Sequence, residues 1–343
     1  MLSTVRCFQL GMLISLLTAC AGGGSLTVSN PTPVARTSAA PPLSAGSITE
    51  YGSLPPLSSP ERITLGPDGA MWFTENAIDQ VGRLDPITSR MTQFYAMPGC
   101  APVGIATGPD GNIWYTCQGT NQITRMATNG LGTNFSVPTA NSNLSSITKG
   151  PDQALWFTES DANNIGRIST SGSITEFHIP TMNAQPESIT TGPDGNLWFT
   201  EYASSKIGRI TPAGSITEFP TTLPLEGPWG ITSDASTGTL WFTELDSDHI
   251  ETMTTAGTVI ATYAIPPSGG NPHHITFNEA DGDLWFTQTG SSGPDAIGRI
   301  TPMGAITEFS IPTANSAPSG IANAPNGIWF TEKSGNAIGK IVP

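Results

Sequence analysis

An aromatic pair followed by threonine returns seven times along this chain, at Trp72-Phe73, Trp114-Tyr115, Trp156-Phe157, Trp198-Phe199, Trp241-Phe242, Trp285-Phe286 and Trp329-Phe330, spaced 42 to 44 residues apart. A period in the forties with only short strands in each copy is the signature of a β-propeller blade. In the fourth copy, Ser188–Thr191, Leu197–Glu201, Ile207–Ile210 and Ser215–Phe219 predict four strands. Gly192-Pro193-Asp194-Gly195 joins the first two with the residues a tight turn requires. Its aspartate lacks the alternating oxygen ligands of a calcium loop, so it reads as a turn residue. With 38 glycines and 30 prolines among 343 residues, an α-rich fold is excluded.

The chain ends fit the same scheme. The last copy stops at Ile341-Val342-Pro343, after its third strand, while Gly46-Ser47-Ile48-Thr49-Glu50-Tyr51 matches the fourth strand Gly214–Phe219. The prediction is an all-β, seven-bladed β-propeller over residues 47–343, closed by an N-terminal strand that completes the last blade and covers its edge.

Residues 1–20 carry one charge, Arg6, and a short apolar run, Cys7–Leu17, of signal-peptide rather than membrane-spanning length. The run ends in Leu17-Thr18-Ala19-Cys20, which resembles a bacterial lipobox, so Cys20 is the expected lipidation site. Residues 21–46, rich in Gly, Ser, Thr, Pro and Ala, read as a flexible tether. The expectation is an exported protein held to a membrane only by its lipid, on the periplasmic side of an outer membrane or on the cell surface. In an oxidising compartment Cys100 and Cys117 either bridge across their hairpin or remain two buried thiols.

Thirteen basic against 27 acidic residues give a net charge of -14. Six of the basic residues stand at equivalent third-strand positions: Arg83, Arg125, Arg167, Arg209, Arg299 and Lys340. Glutamates follow the aromatic-Thr motif at Glu75, Glu159, Glu201, Glu244 and Glu332, so cross-strand ion pairs between the two sets are expected. No basic cluster is left for nucleic acid. His178 and His249 are expected to be solvated, His249 in a turn.

Repeats on a shared scaffold reveal function where they differ. Each innermost strand opens with Pro-x-x-Ile, Leu144 replacing the proline in the third copy. The residues after that position should ring one mouth of the central channel: Glu61, Val103, Ser145, Glu187, Trp229, His273 and Ser319. His273 titrates near neutrality and is the candidate base or metal ligand, Trp229 offers a flat apolar wall, and Glu61 and Glu187 are candidate ligand-binding carboxylates. His274 is expected to point away, because strand side chains alternate. A Ser319-His273-Glu61 relay would require residues of three blades to meet within hydrogen-bond distance.

Thr191-Gly-Pro-Asp-Gly-Asn-Leu-Trp-Phe-Thr-Glu201 together with Ile207-Gly-Arg-Ile-Thr-Pro-Ala-Gly-Ser-Ile-Thr-Glu-Phe219 resembles the virginiamycin B lyases (streptogramin B lyases), and the resemblance covers residues 47–343. It implies a carbon–oxygen lyase that opens a cyclic depsipeptide antibiotic by elimination, using magnesium and a histidine base at the channel mouth. In that family Pro-His occupies the innermost-strand turn of the sixth and seventh blades, and a glutamate follows the seventh aromatic pair. Here Pro272-His273 matches the sixth blade, Pro318-Ser319 puts serine at the position of the base, and Glu332 stands near the metal-binding glutamate.

Two functions follow. One is a membrane-anchored propeller that binds a small molecule, a cyclic peptide or a protein at its mouth, with no cofactor assigned. The other is a magnesium-dependent lyase conferring antibiotic resistance. The missing second histidine and the lipid anchor favour the first.

Overall fold

The computed structural model describes residues 45–52, 54–222, 227–266, 270–290 and 293–343. The predicted signal peptide, Cys20 and all but the end of the predicted tether lie outside them. Gly46, assigned to the tether from sequence, already donates its N–H to the carbonyl of Val342.

Seven antiparallel four-stranded sheets form the blades. Blade 1 consists of Pro60–Leu65, Met71–Glu75, Gln80–Leu84 and Met91–Tyr95, and the pattern repeats to blade 7. In blade 7 the strand Ile48–Tyr51 pairs with Ala337–Ile341, setting Ile48 opposite Ile341 and Tyr51 opposite Ile338. The ring is thus closed by the chain's N-terminal strand, which covers the edge of Ala337–Ile341 and gives the last blade four strands like the others.

The second strand of each blade is buried along its length, except at Thr239 of blade 5, because its two faces meet different blades. Trp72, for example, belongs to the core between blades 1 and 2, whereas Phe73 packs toward blade 7. The phenyl ring of Phe73 lies against Gly82 of the neighbouring strand, where an added Cβ would come within 2.1 Å of the ring. That close approach explains the recurring glycine of the third strand. In blade 2 the register pairs Pro102 with Cys117, and Cys100 is joined to Cys117 by a disulfide with the Cα atoms 4.5 Å apart.

The expected ion pairs between third-strand cations and motif glutamates do not form. Antiparallel register sets Arg83 opposite Trp72 and leaves Glu75 opposite Gln80, at the far end of the hairpin. Arg83 instead bonds Asp68 of the Gly66–Gly69 turn at 2.7 Å, and Arg167 bonds Asp152 at 2.6 Å. The same aspartates accept the indole N–H of Trp72 and Trp156. In these two blades the turn aspartate is therefore an anchor that holds both the tryptophan and the arginine, and Arg167 also lies over the ring of Trp156.

The motif glutamates are fully buried. Burial pushes the carboxyls of Glu75 and Glu159 up to about 7, and those of Glu201 and Glu332 up to about 8. A second carboxylate adds to the effect in three blades: Glu176 beside Glu159, Glu218 beside Glu201 and Glu50 beside Glu332. His178 is exposed and donates from Nδ1 to Asn164. His249 is not in a turn; it opens the strand His249–Thr254 and is half-buried.

Candidate functional site at the channel mouth

In every blade the pairing of the innermost strand with the second strand is interrupted between its first and fourth residues, as at Pro60/Ile63 and Pro272/Ile275. The motif threonine fills the gap. Thr243 Oγ1 accepts the N–H of Gly230 in its own blade and donates to the carbonyl of His273 in the next. Thr74, Thr116, Thr158, Thr200, Thr287 and Thr331 repeat the bridge, closing a circumferential belt with bonds of 2.6 to 3.2 Å. Each hydroxyl satisfies one donor and one acceptor that the bulge leaves unpaired, and ties one blade to the next.

A bulge also breaks strict alternation of side chains. As a result the second and third residues of the innermost strands both face the channel. Glu61, Val103, Ser145, Glu187, Trp229, His273 and Ser319 line a mouth cavity of about 500 Å³, together with Arg62, His274 and Lys333. The expectation that His274 points away is therefore overturned: its ring is 7% exposed, lines the channel, and holds the carbonyl of Ser319 through Nδ1 at 3.0 Å. Arg62 went unremarked in the sequence. The signal was present, because the third position is glycine or serine in the other five blades, at Gly104, Ser146, Ser188, Gly230 and Gly320. The two large residues each follow a glycine blade: a Cβ on Gly320 would lie 2.7 Å from Arg62 Cα, and one on Gly230 would lie 2.9 Å from His274 Cα.

The arc from blade 5 to blade 1 has defined contacts. Trp229 meets His273 edge to face, with centroids 6.0 Å apart, and Tyr202 packs on its other side at 5.5 Å. Burial, followed by the charge of Arg62, pulls the imidazole of His273 below its usual value, so it is neutral at pH 7. Ser319 Oγ donates to Glu61 at 3.4 Å, and Lys333 Nζ bonds the other Glu61 oxygen at 2.7 Å. Serine, histidine and glutamate are therefore not arranged as a relay, since the serine goes directly to the carboxylate. Across the mouth, Glu187 accepts from Ser145 Oγ at 3.0 Å and Ser160 Oγ at 2.9 Å, and burial raises its carboxyl.

Magnesium requires several oxygen ligands in near-octahedral array. The residues of the mouth do not fit it. Glu61 carries an ammonium on the oxygen a cation would take, and Glu332 lies outside the mouth, buried beside Glu50. Among the described residues no three His, Cys, Asp or Glu side chains converge.

The sequence profile of the virginiamycin B lyase family matches residues 32–280 and 183–343. The chain belongs to the virginiamycin B lyase family. Its propeller superposes on a streptogramin B lyase structure with a TM-score of 0.79 at 34% identity, over 86% of this chain and 96% of that one. The virginiamycin B lyase of Staphylococcus aureus gives a TM-score of 0.79 at 32% identity, over 87% and 99%. A catalytically inactive histidine-to-alanine variant of that enzyme, solved with quinupristin, gives 0.78 at 32% identity, again over 87% and 99%. The virginiamycin B lyase of Nocardia farcinica (strain IFM 10152) is 35% identical over 72 residues, which is 21% of this chain and 24% of that protein. The lyase-type propeller is thus a family trait of this chain.

Proposed function

We propose that this protein is a lipid-anchored propeller that binds a ligand at the channel mouth rather than opening a streptogramin ring. The observation that carries this reading is the state of Glu61. Its carboxylate is occupied by Lys333 and by Ser319, the residue that stands where the family resemblance calls for a histidine base. A serine hydroxyl has far too high a pKa to take a proton from carbon at neutral pH. The remaining features suit binding: a concave cavity, one aromatic wall at Trp229, and the polar groups of Glu187 and His273 fixed by packing.

The lyase alternative draws on family membership and on His273, a neutral imidazole set against Trp229. Incubating the protein with a streptogramin B and magnesium decides between the two. Chromatography and tandem mass spectrometry should find the ring intact, and calorimetry should show any bound ligand lost in Trp229→Ala. Turnover that disappears in His273→Ala would establish the lyase.

The anchor rests on the lipobox at Cys20 and the tether that follows it. Metabolic labelling with a fatty acid, present in wild type and absent in Cys20→Ala, tests it. Export places the mouth on the periplasmic or outer side of the membrane, facing small molecules or peptides rather than nucleic acid.

A further inference from the structure

Beneath the mouth the channel narrows to an inner chamber of about 140 Å³. Its wall is made by the third and fourth residues of the innermost strands; the isoleucines Ile63, Ile189 and Ile275 turn their side chains into the inter-blade cores, and Arg62, Ser188 and His274 supply polar side chains. Arg62 Nε, Ser188 Oγ and His274 Nε2 are all enclosed and have no hydrogen-bond partner among the described residues. Ser188 is 4% exposed and His274 is 7% exposed. Leaving such atoms unmatched is costly, so three in the wall of one cavity make the chamber a candidate ligand site.

We propose that this chamber binds a small carboxylate bearing a hydroxyl or amide N–H on its α-carbon. The carboxylate sits on Arg62, and the α-substituent donates to Nε2 of His274. The assignment rests on the mouth being the binding surface, and it specifies which chemistry that surface accepts.

The donor pattern dictates the ligand. Arg62 has only donors and a fixed positive charge. Glu61 and Glu187 act on it through their charge, but Glu61 bonds Lys333 and Ser319, Glu187 bonds Ser145 and Ser160, and Arg62 Nε has no hydrogen-bond partner among the described residues. His274 holds a backbone carbonyl through Nδ1, and a carbonyl only accepts, so Nδ1 carries the proton and Nε2 presents a lone pair to the chamber. The ligand must therefore offer an anionic acceptor and, close to it, a donor. An α-hydroxy or α-acylamino carboxylate offers both from adjacent carbons. Arg62 and His274 line the mouth as well as the chamber, so the ligand's body extends back into the mouth. There Trp229 supplies an aromatic wall and an indole N–H that is itself without a partner among the described residues.

Four matched probes test this by calorimetry on the intact protein: mandelate, N-acetylphenylglycine, phenylacetate, which lacks the donor, and mandelamide, which lacks the charge. One or both α-substituted acids should bind at least about tenfold more tightly than mandelamide, as expected for a charge-assisted bond to Arg62, and a few-fold more tightly than phenylacetate, as expected for a neutral bond to His274. Which of the two binds distinguishes a hydroxy acid from an acylated amino acid or peptide C-terminus. Arg62→Met should abolish the preference for mandelate over mandelamide, and His274→Phe the preference for mandelate over phenylacetate. If His274→Phe does not fold, Arg62→Met decides alone, since methionine keeps an unbranched apolar stem in the chamber. Failure of both acids to bind, or equal binding of mandelate and mandelamide, overturns the proposal. Equal binding of all four probes that is lost in Trp229→Ala overturns the carboxylate assignment while leaving the mouth as the binding surface.

Discussion

Lys333 Nζ and Glu61 Oε2 lie 2.7 Å apart, joining the last blade to the first at the channel mouth. Because the lysine is nearly half exposed, the pair contributes little to stability. Lys333→Met should lower the unfolding free energy by less than about 1 kcal/mol in urea denaturation. Its larger consequence is chemical, since it keeps the Glu61 carboxylate occupied. Ser319→His alone should therefore yield no magnesium-dependent opening of a streptogramin B ring, as followed by chromatography and tandem mass spectrometry. Ring opening by that single variant would show that the glutamate pairing does not limit the site.

The threonine belt predicts a stability loss without any change of volume. Thr243→Val keeps the shape but leaves the buried N–H of Gly230 and the carbonyl of His273 without their partner. The cost should be about 1–3 kcal/mol. Urea denaturation of Thr243→Val against Thr243→Ser, which retains the hydroxyl, separates this effect from packing.

Closure of the ring depends on the N-terminal strand. Tyr51 stacks on Trp329 with ring centroids 5.3 Å apart, and Ile48 packs against the core between blades 6 and 7. Tyr51→Ala should cost roughly 2–4 kcal/mol. Deleting residues 47–51 should cost more, since it also exposes the edge of the last blade. Equal thermal midpoints for wild type and the deletion would contradict this closure.

The buried glutamates predict that stability falls as pH rises. Their folded pKa values lie above the unfolded value near 4.5, so the folded state holds more protons than the unfolded one between about pH 4.5 and 8. The stability contributed by the protonated carboxyls is fully present below pH 4.5 and is gone above pH 8. Between pH 6 and pH 8.5 each of Glu201 and Glu332 should account for roughly 1–3 kcal/mol. Glu201→Gln and Glu332→Gln should flatten the profile measured by urea denaturation across that range. Blade 6 already uses this solution, with Gln288 donating to Glu308 at 2.8 Å.

Periodicity alone determined the architecture: the aromatic-Thr repeat specifies the blades, and the N-terminal match to a fourth strand specifies how they close. The same logic located the mouth, because Glu61, Trp229 and His273 depart from the repeat at one strand position. What the sequence could not decide was which neighbour each polar side chain meets. Motif glutamates and third-strand arginines are equally regular, yet register separates them, and Arg83 goes to Asp68 while Glu75 is buried at the other end of the hairpin. The bulge held by the threonine belt decided the floor of the channel. It turns His274 and Arg62 inward, where simple alternation would have sent them out. A pattern along one strand records only which face a residue prefers. The contacts that set charge and hydrogen bonding at the mouth come from strands some forty residues apart, and only the closed ring brings them together.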